Sequence, residues 1–459
     1  MFTIDFNKPI HVHFIGIGGI SMSGLSEILL KEGFTISGSD MKESDITGHL
    51  KGLGAKIYIG QKASNISGDI DLVVYTAAIH PDNEEYQAVV ESGIPMMTRA
   101  QLLGQIMANY SRSIAVSGTH GKTTTTSMLS HILLAACTDP TISVGGILDA
   151  IQGNIRVGNS DVFITEACEY TNSFFEFYPK YNIILNVEED HMDFFKDLAD
   201  IENSFRRFAH QTAEDGLLVL NGDINCIPFL TEGLKTPYVT YGCKGNEAYS
   251  AANITFDELG YGHYDLMVHG DFVAHINLHV GGMHNISNSL AAAAVAMAME
   301  LPMEAIQKGL HSFGGTKRRF EYKGMVNDFT VIDDYAHHPT EISATLTTAQ
   351  HYPHKELWVV FQPHTYTRTK AFLPEFIEAL SGYDHVVLAD IYAAREDDPG
   401  DIHSKDITEG LLAKGCDAYY LPSFEAIQQF LLEKCKKGDL LITMGAGDVV
   451  NIGENLLSK

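Results

Sequence analysis

Hydrophobic positions along the chain form short β-branched runs, and each run leads through a glycine-rich or polar turn into a segment with helical spacing. The first example is HVHFIG near residue 9, followed by GIGGISMSG and then LSEILLKEG. A strand, a turn and a crossover helix in this order are typical of α/β folds with parallel sheets. Further strands are predicted at FTISGSD, AKIYIG and LVVYTAAI, and we expect this first segment to end near Arg112.

A second segment begins at SIAVSG, with further strands predicted at DVFITEA and NIILNVEEDH. Between residues 251 and 281 the pattern changes to alternation, as in YDLMVHGDFVAHINLHV, where a Gly-Asp pair marks the turn. Alternation around such a turn predicts an antiparallel hairpin, so this segment should form a mixed sheet. An alanine-rich helix, SNSLAAAAVAMAMEL, closes it.

The third segment begins around GGTKRRFEYKG and carries the strand candidates FTVIDDY, LWVVFQPH, HVVLADIY and LLITMGAGD, each followed by helix-compatible sequence. This pattern predicts a second doubly wound unit. The three segments agree with the length of 459 residues, since domains average roughly 150 residues.

Composition narrows the class of protein. Hydrophobic residues make up 45% of the chain, yet no apolar run approaches the length of about 18 residues that a membrane span needs. The first residues, MFTIDFNKPIHVHFIG, lack the features of an export signal, and the 6 cysteines show no C-x-x-C spacing, so we expect a cytoplasmic protein with reduced thiols. A net charge of -27 opposes nonspecific nucleic-acid binding.

The first glycine-rich loop contains Gly16, Gly18 and Gly19, with Ser21 where the dinucleotide fingerprint has its third glycine. Asp40 ends the next strand candidate. Glycine amides at a helix N-terminus can bind the pyrophosphate of NAD or of a nucleotide sugar, so an NAD-dependent oxidoreductase is one hypothesis. The alternative is that the glycines serve only a tight turn.

The second loop, SGTHGKTTTT, separates its glycines by two residues where the standard phosphate loop has four. Its amides, the Lys122 ammonium and the Thr123 hydroxyl suit phosphates and Mg²⁺. A merely solvated lysine would fit poorly at a helix N-terminus because the helix dipole disfavours a cation there. The loop is therefore predicted to bind a nucleotide, although not as an ordinary P-loop GTPase or kinase.

Carboxylates for a metal follow two neighbouring strand candidates. Glu166 ends DVFITE and Glu169 lies one turn beyond, while the next strand runs into Glu188, Glu189, Asp190, His191 and Asp193. Magnesium at a nucleotide usually takes one or two carboxylates at the carboxyl ends of such strands. The alternative is a solvated acidic loop.

The order of nine motifs carries a resemblance over essentially the whole chain. They are GIGGISMSG, GTHGKTTTT, ITEACEYTNSF, NVEEDHMD, GMHNISNSLAAAA, GTKRRFE, VIDDYAHHPTE, FQPHTYTRT and MGAGD. In this order they resemble the Mur ligase family of bacterial peptidoglycan assembly. The resemblance implies a Rossmann-like UDP-sugar-binding domain (1–112), a central P-loop ATPase-like mixed-sheet domain that binds ATP (113–313) and a Rossmann-like amino-acid-binding domain (314–459).

The resemblance also implies an activity. ATP, with Mg²⁺, would activate the carboxylate of UDP-N-acetylmuramate as an acyl phosphate, and L-alanine would attack it, releasing ADP and phosphate. We expect a monomer or homodimer with no nucleic-acid or membrane partner. The alternatives are a recycling ligase that attaches a murein tripeptide to the same sugar nucleotide, the oxidoreductase, and a nonenzymatic nucleotide-binding regulator.

Residue roles implied by the resemblance fall into five sets. The catalytic residues would be Lys122, Glu166, His191 and Arg319, and the metal ligands Thr123, Glu166 and His191. The ATP-binding set would be Gly118, Thr119, His120, Gly121, Lys122, Thr123, Thr124, His284, Asn285, Asn288, Arg319 and Asp334. The UDP-sugar set would be Gly16, Gly18, Gly19, Ser21, Asp40 and Ser173. The amino-acid set would be Tyr335, His337, His338 and Arg368.

Some of these positions have structural alternatives. His191 could be a surface histidine, since imidazole is an unusual ligand for Mg²⁺. Asn285 could cap a helix, and Asp334 could sit in a plain strand-end turn. The sequence departs from the family pattern at Thr365, where many members have arginine, and at Cys168, Tyr170 and Thr171, beside the retained Glu166 and Glu169.

Overall fold

The computed structural model describes residues 2–76 and 78–458, which fold into two compact units. The first unit comprises the chain up to Val187 together with Glu202–Tyr241 and Ala291–Gly309. The second comprises Glu188–Ile201, Gly242–Leu290 and the chain from Leu310 onward. No helix of the described part is both long and apolar enough to cross a membrane.

The N-terminal part of the first unit is a parallel sheet with helices between its strands. The strands are β1 (His11–Ile15), β2 (Thr35–Asp40), β3 (Lys56–Ile59), β4 (Leu72–Tyr75) and β5 (Met96–Thr98), in the order β3-β2-β1-β4-β5. The helices are α1 (Ile20–Lys31), α2 (Asp45–Gly52), α3 (Glu84–Ser92) and α4 (Arg99–Met107). All four neighbouring pairs are parallel, and the order reverses at β1, so the glycine loop after β1 lies at the switch point where ligands bind in such sheets.

The rest of the first unit contains a second, mixed sheet. Its strands are β6 (Arg112–Ser117), β7 (Thr141–Leu148), β8 (Gly153–Arg156), β9 (Val162–Glu166), β10 (Tyr181–Ile184), β11 (Leu217–Asn221) and β12 (Tyr238–Gly242), in the order β12-β11-β10-β6-β9-β7-β8. The helices of this region of the chain are α5 (Lys122–Ala135), α6 (Leu198–Ala209), α7 (Ile227–Thr231), α8 (Met283–Ala298) and α9 (Met303–Ser312). Because β8 is antiparallel to β7, the predicted mixed sheet is confirmed.

Three long strands of the second unit form an antiparallel meander. They are β13 (Tyr249–Phe256), β14 (Tyr261–Val268) and β15 (Asp271–Gly281). The turn between β14 and β15 falls at the Gly-Asp pair, as the alternating pattern predicted. Buried and less buried side chains alternate along β14, which is the signature of a sheet with one face in a core.

A second doubly wound sheet forms the C-terminal part of the second unit. Its strands are β16 (Glu321–Val326), β17 (Phe329–Asp334), β18 (Leu357–Phe361), β19 (His385–Leu388), β20 (Ala418–Tyr420) and β21 (Leu440–Met444), in the order β16-β17-β21-β18-β19-β20. The helices are α10 (Pro339–His351), α11 (Tyr366–Ala371), α12 (Leu373–Leu380), α13 (Ser404–Ala413), α14 (Phe424–Lys434) and α15 (Val450–Leu457). The predicted α/β fold class, with three sheet-based parts, is confirmed.

The sheet of the C-terminal part has a hydrophobic core on each face. Val359 and Phe361 of β18 join the core that includes Leu346 of α10. Trp358 and Val360 point the other way, into the core that includes Ile452 of α15. Fully buried strands of this kind read as continuous apolar runs, because both faces are covered by helices.

Candidate active site

The phosphate-type loop joins β6 to α5 in the first unit. Gly118 has φ of 138° and Gly121 has φ of 85°, conformations that other residues rarely adopt. A Cβ at Gly118 would lie 2.9 Å from Cβ of Leu185 and 3.1 Å from the amide nitrogen of Asn186. The loop thus needs glycine both for its backbone conformation and for its close approach to the chain that follows β10.

Asn186 holds the loop at its centre. Its Oδ1 accepts a hydrogen bond from the His120 amide at 2.8 Å, and its Nδ2 donates to the His120 carbonyl at 3.1 Å. The Thr119 amide donates to the Asn186 carbonyl at 3.4 Å. Asn186 was not among the site residues predicted from the sequence, although it directly follows the apolar run IIL.

Lys122 begins α5 and folds back over the loop. Its Nζ donates to the carbonyls of Gly118 at 2.5 Å and Thr119 at 3.1 Å, and lies 3.0 Å from Oε2 of Glu169. Burial alone would lower the pKa of Lys122, but the nearby carboxylates, Glu169 foremost, outweigh it and raise that pKa. The ammonium therefore stays charged inside the site.

The two predicted metal ligands of the first unit are adjacent. The Thr123 hydroxyl donates to Oε2 of Glu166 at 3.0 Å, and the Gly145 amide donates to Oε1 at 2.5 Å. A Cβ at Gly145 would lie only 2.9 Å from the Glu166 carboxylate, and one at Gly146 would lie 3.2 Å from Thr123 Cγ2. The glycine pair of β7 therefore leaves space beside these two oxygen ligands. Thr124 continues the same first turn of α5.

Asp40 accepts a hydrogen bond from the first glycine loop. Gly16 has φ of 85°, and its amide and that of Ile17 donate to the Ser39 carbonyl. The Gly18 amide donates to Oδ2 of Asp40 at 2.8 Å. Gly19 is the N-cap of α1, where exposed amides can face an anion. In this structure Asp40 bonds the loop itself.

Ser173, predicted to face the sugar, lies in a short 3-10 helix (Tyr170–Glu176) that follows Glu169. Its hydroxyl donates to the Tyr170 carbonyl at 3.0 Å and lies 3.1 Å from the Thr171 hydroxyl. Thr171 and Asn172 have φ of 54° and 55°, in the left-handed region. The residues that depart from the family pattern thus occupy a tightly turned segment beside Glu169.

In the second unit, His284 lines a cavity of about 240 Å³. Phe256 and His351 line the same cavity with parallel rings whose centroids are 6.1 Å apart. Asn285 donates to the Gly281 carbonyl at 2.7 Å, and Asn288 donates to Oδ1 of Asn285 at 3.3 Å. Asn285 is the third residue of α8 and donates to the chain entering the helix, which is not the N-cap geometry of the structural alternative, and its contact with ATP stays a prediction.

Asp334 ends β17 and is buried. Its Oδ2 accepts from the Phe320 amide and its Oδ1 from the Ala336 amide, each at 2.7 Å. Burial raises the pKa of Asp334 to about 6, although Arg319 and these amides oppose the shift. These bonds describe a strand-end turn, and the ribose contact stays a prediction.

Arg319 belongs to a cluster around Glu341. Its Nη1 lies 3.5 Å from Oε1 of Glu341, and its guanidinium lies 5.2 Å from the centre of the Tyr335 ring. Oε2 of Glu341 accepts from the His337 amide at 3.2 Å and lies 3.1 Å from His337 Nδ1. Glu341, which was not among the predicted residues, bridges a predicted ATP residue, Arg319, and a predicted amino-acid residue, His337.

Arg368 forms the tightest charge pair of the predicted amino-acid set. Its Nη2 and Nε donate to Oδ1 of Asp190 at 2.6 and 3.2 Å. Burial would raise the pKa of Asp190, but Arg368 and His191 hold it well below its usual value. His191 donates its amide to Oδ1 of Asp190 at 2.7 Å, and its own φ is 54°.

His338, another residue of this set, contacts the same segment. His338 Nε2 lies 3.0 Å from the Glu189 carbonyl, and the Thr340 hydroxyl donates to Glu188 at 3.0 Å. Thr365, the departure from the family pattern, is the N-cap of α11 and its hydroxyl accepts from the Arg368 amide at 3.3 Å. A capping residue thus stands where many members have a second arginine.

Two glycine loops at strand ends, together with a lysine and a threonine beside carboxylates, are features of a nucleotide-dependent enzyme. Three family models match in order: the Mur ligase family catalytic domain over residues 11–111, the Mur ligase middle domain over 116–296 and the Mur ligase glutamate ligase domain over 318–447. The chain belongs to the Mur ligase family. Mur ligases are ATP-dependent ligases, so the ligase hypothesis, and not the oxidoreductase one, is confirmed.

Individual relatives extend over the whole chain. A UDP-N-acetylmuramate–L-alanine ligase of Agathobacter rectalis is 60% identical over 459 residues, covering 100% of both chains. The crystal structure of the UDP-N-acetylmuramate-alanine ligase of Thermotoga maritima is 28% identical, with a TM-score of 0.79 and 98% of each chain covered. A murein peptide ligase of Psychrobacter arcticus matches at a TM-score of 0.69 and 24% identity over 98% of each chain, which shows the fold alone.

Proposed function

We propose that this protein joins L-alanine to the carboxylate of UDP-N-acetylmuramate at the expense of ATP, in peptidoglycan synthesis. The observation that carries the proposal is the full-length 60% identity with the Agathobacter rectalis ligase of that name. The retained Lys122, Thr123 and Glu166 support it, because transfer of a phosphoryl group to a carboxylate brings two anions together and needs cations to offset their repulsion.

We propose ATP and Mg²⁺ as the cofactors. The residues fit this pair: the loop offers amides and a charged lysine to phosphates, and Thr123 and Glu166 offer oxygen ligands, which Mg²⁺ prefers. Bound Mg²⁺ would neutralise the triphosphate and the charge that develops during transfer. We propose that His191 and Glu166 would contribute ligands to a second ion.

The roles of the protein residues follow the three sheet-based parts. We propose that residues 1–112 bind the UDP-sugar through Gly16, Gly18, Gly19 and Ser21, that 113–313 bind ATP, and that 314–459 bind L-alanine. Lys122 and Arg319 would hold the γ-phosphate as it moves to the sugar carboxylate. The cavity lined by His284, Phe256 and His351 is proposed to take the adenine ring, because it presents aromatic faces and polar edges.

Arg368 is proposed to bind the carboxylate of the amino acid, since a guanidinium fork matches that anion. Asp190 already holds Nε and Nη2, and His364 Nδ1 lies 3.1 Å from Nη1, which leaves the second N–H group of each terminal nitrogen for the substrate. Tyr335, His337 and His338 would line the space around the incoming amine. In place of a second arginine, Thr365 would contribute by fixing the helix that carries Arg368.

The decisive experiment measures phosphate release by the purified protein with each component omitted in turn. We expect release only when UDP-N-acetylmuramate, L-alanine, ATP and Mg²⁺ are all present. Phosphate release that is indifferent to the amino acid would contradict the proposal. Replacing L-alanine by a murein tripeptide tests the recycling alternative, which predicts faster turnover with the tripeptide.

We further propose that the enzyme acts in the cytoplasm, where ATP is available, as a monomer or homodimer. No helix of the described part can cross a membrane, which agrees with this location. Sedimentation analysis of the purified chain would measure its oligomeric state, and a larger assembly would contradict the proposal.

A further inference from the structure

Arg99 has no role in the assignments above. It begins α4, directly after β5, and therefore lies at the same carboxyl edge of the N-terminal sheet as the glycine loop that follows β1. Its Nη1 donates to the Ser21 hydroxyl at 3.2 Å. Ser21 is the second residue of α1, so the guanidinium lies beside the helix start that the glycine loop forms.

Arg99 is half-buried, and across residues 2–76 and 78–458 no carboxylate forms an ion pair with it. Six other arginines do have such pairs: Arg112, Arg156, Arg206, Arg318, Arg319 and Arg368. Burial lowers the pKa of Arg99, and Cys168 is the titratable group that opposes this shift. Removing a guanidinium from water without a compensating anion is unfavourable. The first turn of a helix adds to the cost, because the helix dipole disfavours a cation there.

Two sets of contacts hold the helix α4, which Arg99 begins. Thr98 and Gln101 form a capping box at the start of α4. Further along the helix, a Cβ at Gly104 would lie 2.1 Å from the Glu176 carbonyl oxygen, so α4 packs closely on the 3-10 helix that follows Glu169. A partly buried arginine that starts a well-held helix and has no carboxylate partner among the described residues is suited to an anionic ligand.

We propose that Arg99, together with the Ser21 hydroxyl at the start of α1, binds the diphosphate of the sugar nucleotide. This inference rests on the proposed function, because it takes a UDP-sugar as the ligand. Between the two anions of that substrate, the geometry favours the diphosphate, since Arg99 contacts Ser21 in the first turn of α1, and the N-terminal end of a helix favours phosphate groups. The planar guanidinium adds two parallel donors suited to phosphate oxygens.

The test is calorimetric binding of UDP-N-acetylmuramate, UDP and uridine to the wild type, Arg99→Met and Arg99→Lys. Charge-assisted hydrogen bonds predict that Arg99→Met binds both UDP ligands roughly 10- to 100-fold more weakly, while uridine binding is unchanged. Arg99→Lys, which keeps the charge but loses the fork, should fall in between. Arg112→Met is the control. Arg112 pairs with Asp161 and begins β6, so it lies at the end of that strand away from the phosphate-type loop.

Each outcome decides the matter. Equal affinity of wild type and Arg99→Met for UDP would overturn the diphosphate assignment. A loss confined to UDP-N-acetylmuramate, with UDP affinity retained, would place the guanidinium on the sugar carboxylate and overturn it as well. If Arg99→Met does not fold, UDP binding by Arg99→Lys equal to that of the wild type serves as the contradicting result. Failure of the wild type itself to bind any uridine nucleotide would instead contradict the proposed function.

Discussion

Arg368 and Asp190, 178 positions apart in the chain, form a paired contact in which Nη2 and Nε both reach Oδ1, at 2.6 and 3.2 Å. Both side chains are at most one-tenth exposed. The residue predicted to bind the amino acid is therefore itself held by a carboxylate, which fixes the direction of its remaining donors.

This pair predicts that Asp190→Asn weakens the binding of L-alanine selectively. The neutral amide should hold the guanidinium more loosely, so KM for L-alanine should rise ~10-fold or more, in line with the loss of a charged hydrogen bond. KM for UDP-N-acetylmuramate should change little. Steady-state kinetics with each substrate varied would check this, and equal increases in both KM values would argue against a positioning role.

Lys122→Ala should abolish most turnover. Removing one positioned cation at a transferring group typically costs ~10²- to 10³-fold in kcat. The binding of UDP-N-acetylmuramate should be intact, because Lys122 contacts Gly118, Thr119 and Glu169, not the first glycine loop. Turnover assays and calorimetric binding of UDP-N-acetylmuramate to the same variant would check that turnover is lost while binding is kept. Simultaneous loss of sugar-nucleotide binding would contradict the prediction.

Asn186→Ala should loosen the phosphate loop. It removes both side-chain bonds to His120, of which the amide bond is the shorter at 2.8 Å, and so leaves backbone groups unsatisfied at a cost of ~1–3 kcal/mol in the free energy of unfolding. The KM for ATP should rise by more than that for the other substrates. Asn186→Asp keeps the acceptor but loses the donor and should show a smaller effect. An unchanged KM for ATP would show that the two Asn186 hydrogen bonds to His120 are not needed for ATP binding.

The local pattern of hydrophobic and polar residues predicted the strands, the turns and both glycine loops, because neighbouring residues in the chain determine these features. The Thr123 and Glu166 contact was predictable, since both follow parallel strands whose carboxyl ends share an edge. The roles of Asn186 and Glu341 were not, because no strand-end rule links Asn186 to His120 or Glu341 to Arg319. The same holds for Asp40, which was predicted to bind the UDP-sugar and which accepts a hydrogen bond from the Gly18 amide in this structure. Periodicity carries no information about such pairings.

Gly145→Ala should impair the metal site without a change in the charge of the protein. The new methyl group would lie 2.9 Å from Oε1 of Glu166 and must displace that carboxylate from Thr123. We expect a higher Mg²⁺ concentration for half-maximal activity and a lower kcat. Gly153→Ala in the adjacent strand is the control, because its Cβ would find its nearest neighbour at 3.9 Å. Equal Mg²⁺ requirements for the two variants would contradict a metal role for Glu166.

The buried carboxyl of Asp334 should give the protein a distinct pH dependence. Its pKa of about 6 in the folded state lies above the unfolded value of about 3.9, so between these pH values the folded protein binds more protons. Stability attributable to this group is therefore present at pH 4 and is lost as the pH rises through 6, by an amount on the order of 3 kcal/mol. Asp334→Asn cannot titrate, so its unfolding free energy should fall less than that of the wild type over this interval. Denaturant unfolding at closely spaced pH values checks this, and parallel curves for the two proteins would show that Asp334 is ionised throughout, held by the Phe320 and Ala336 amides rather than neutralised by burial.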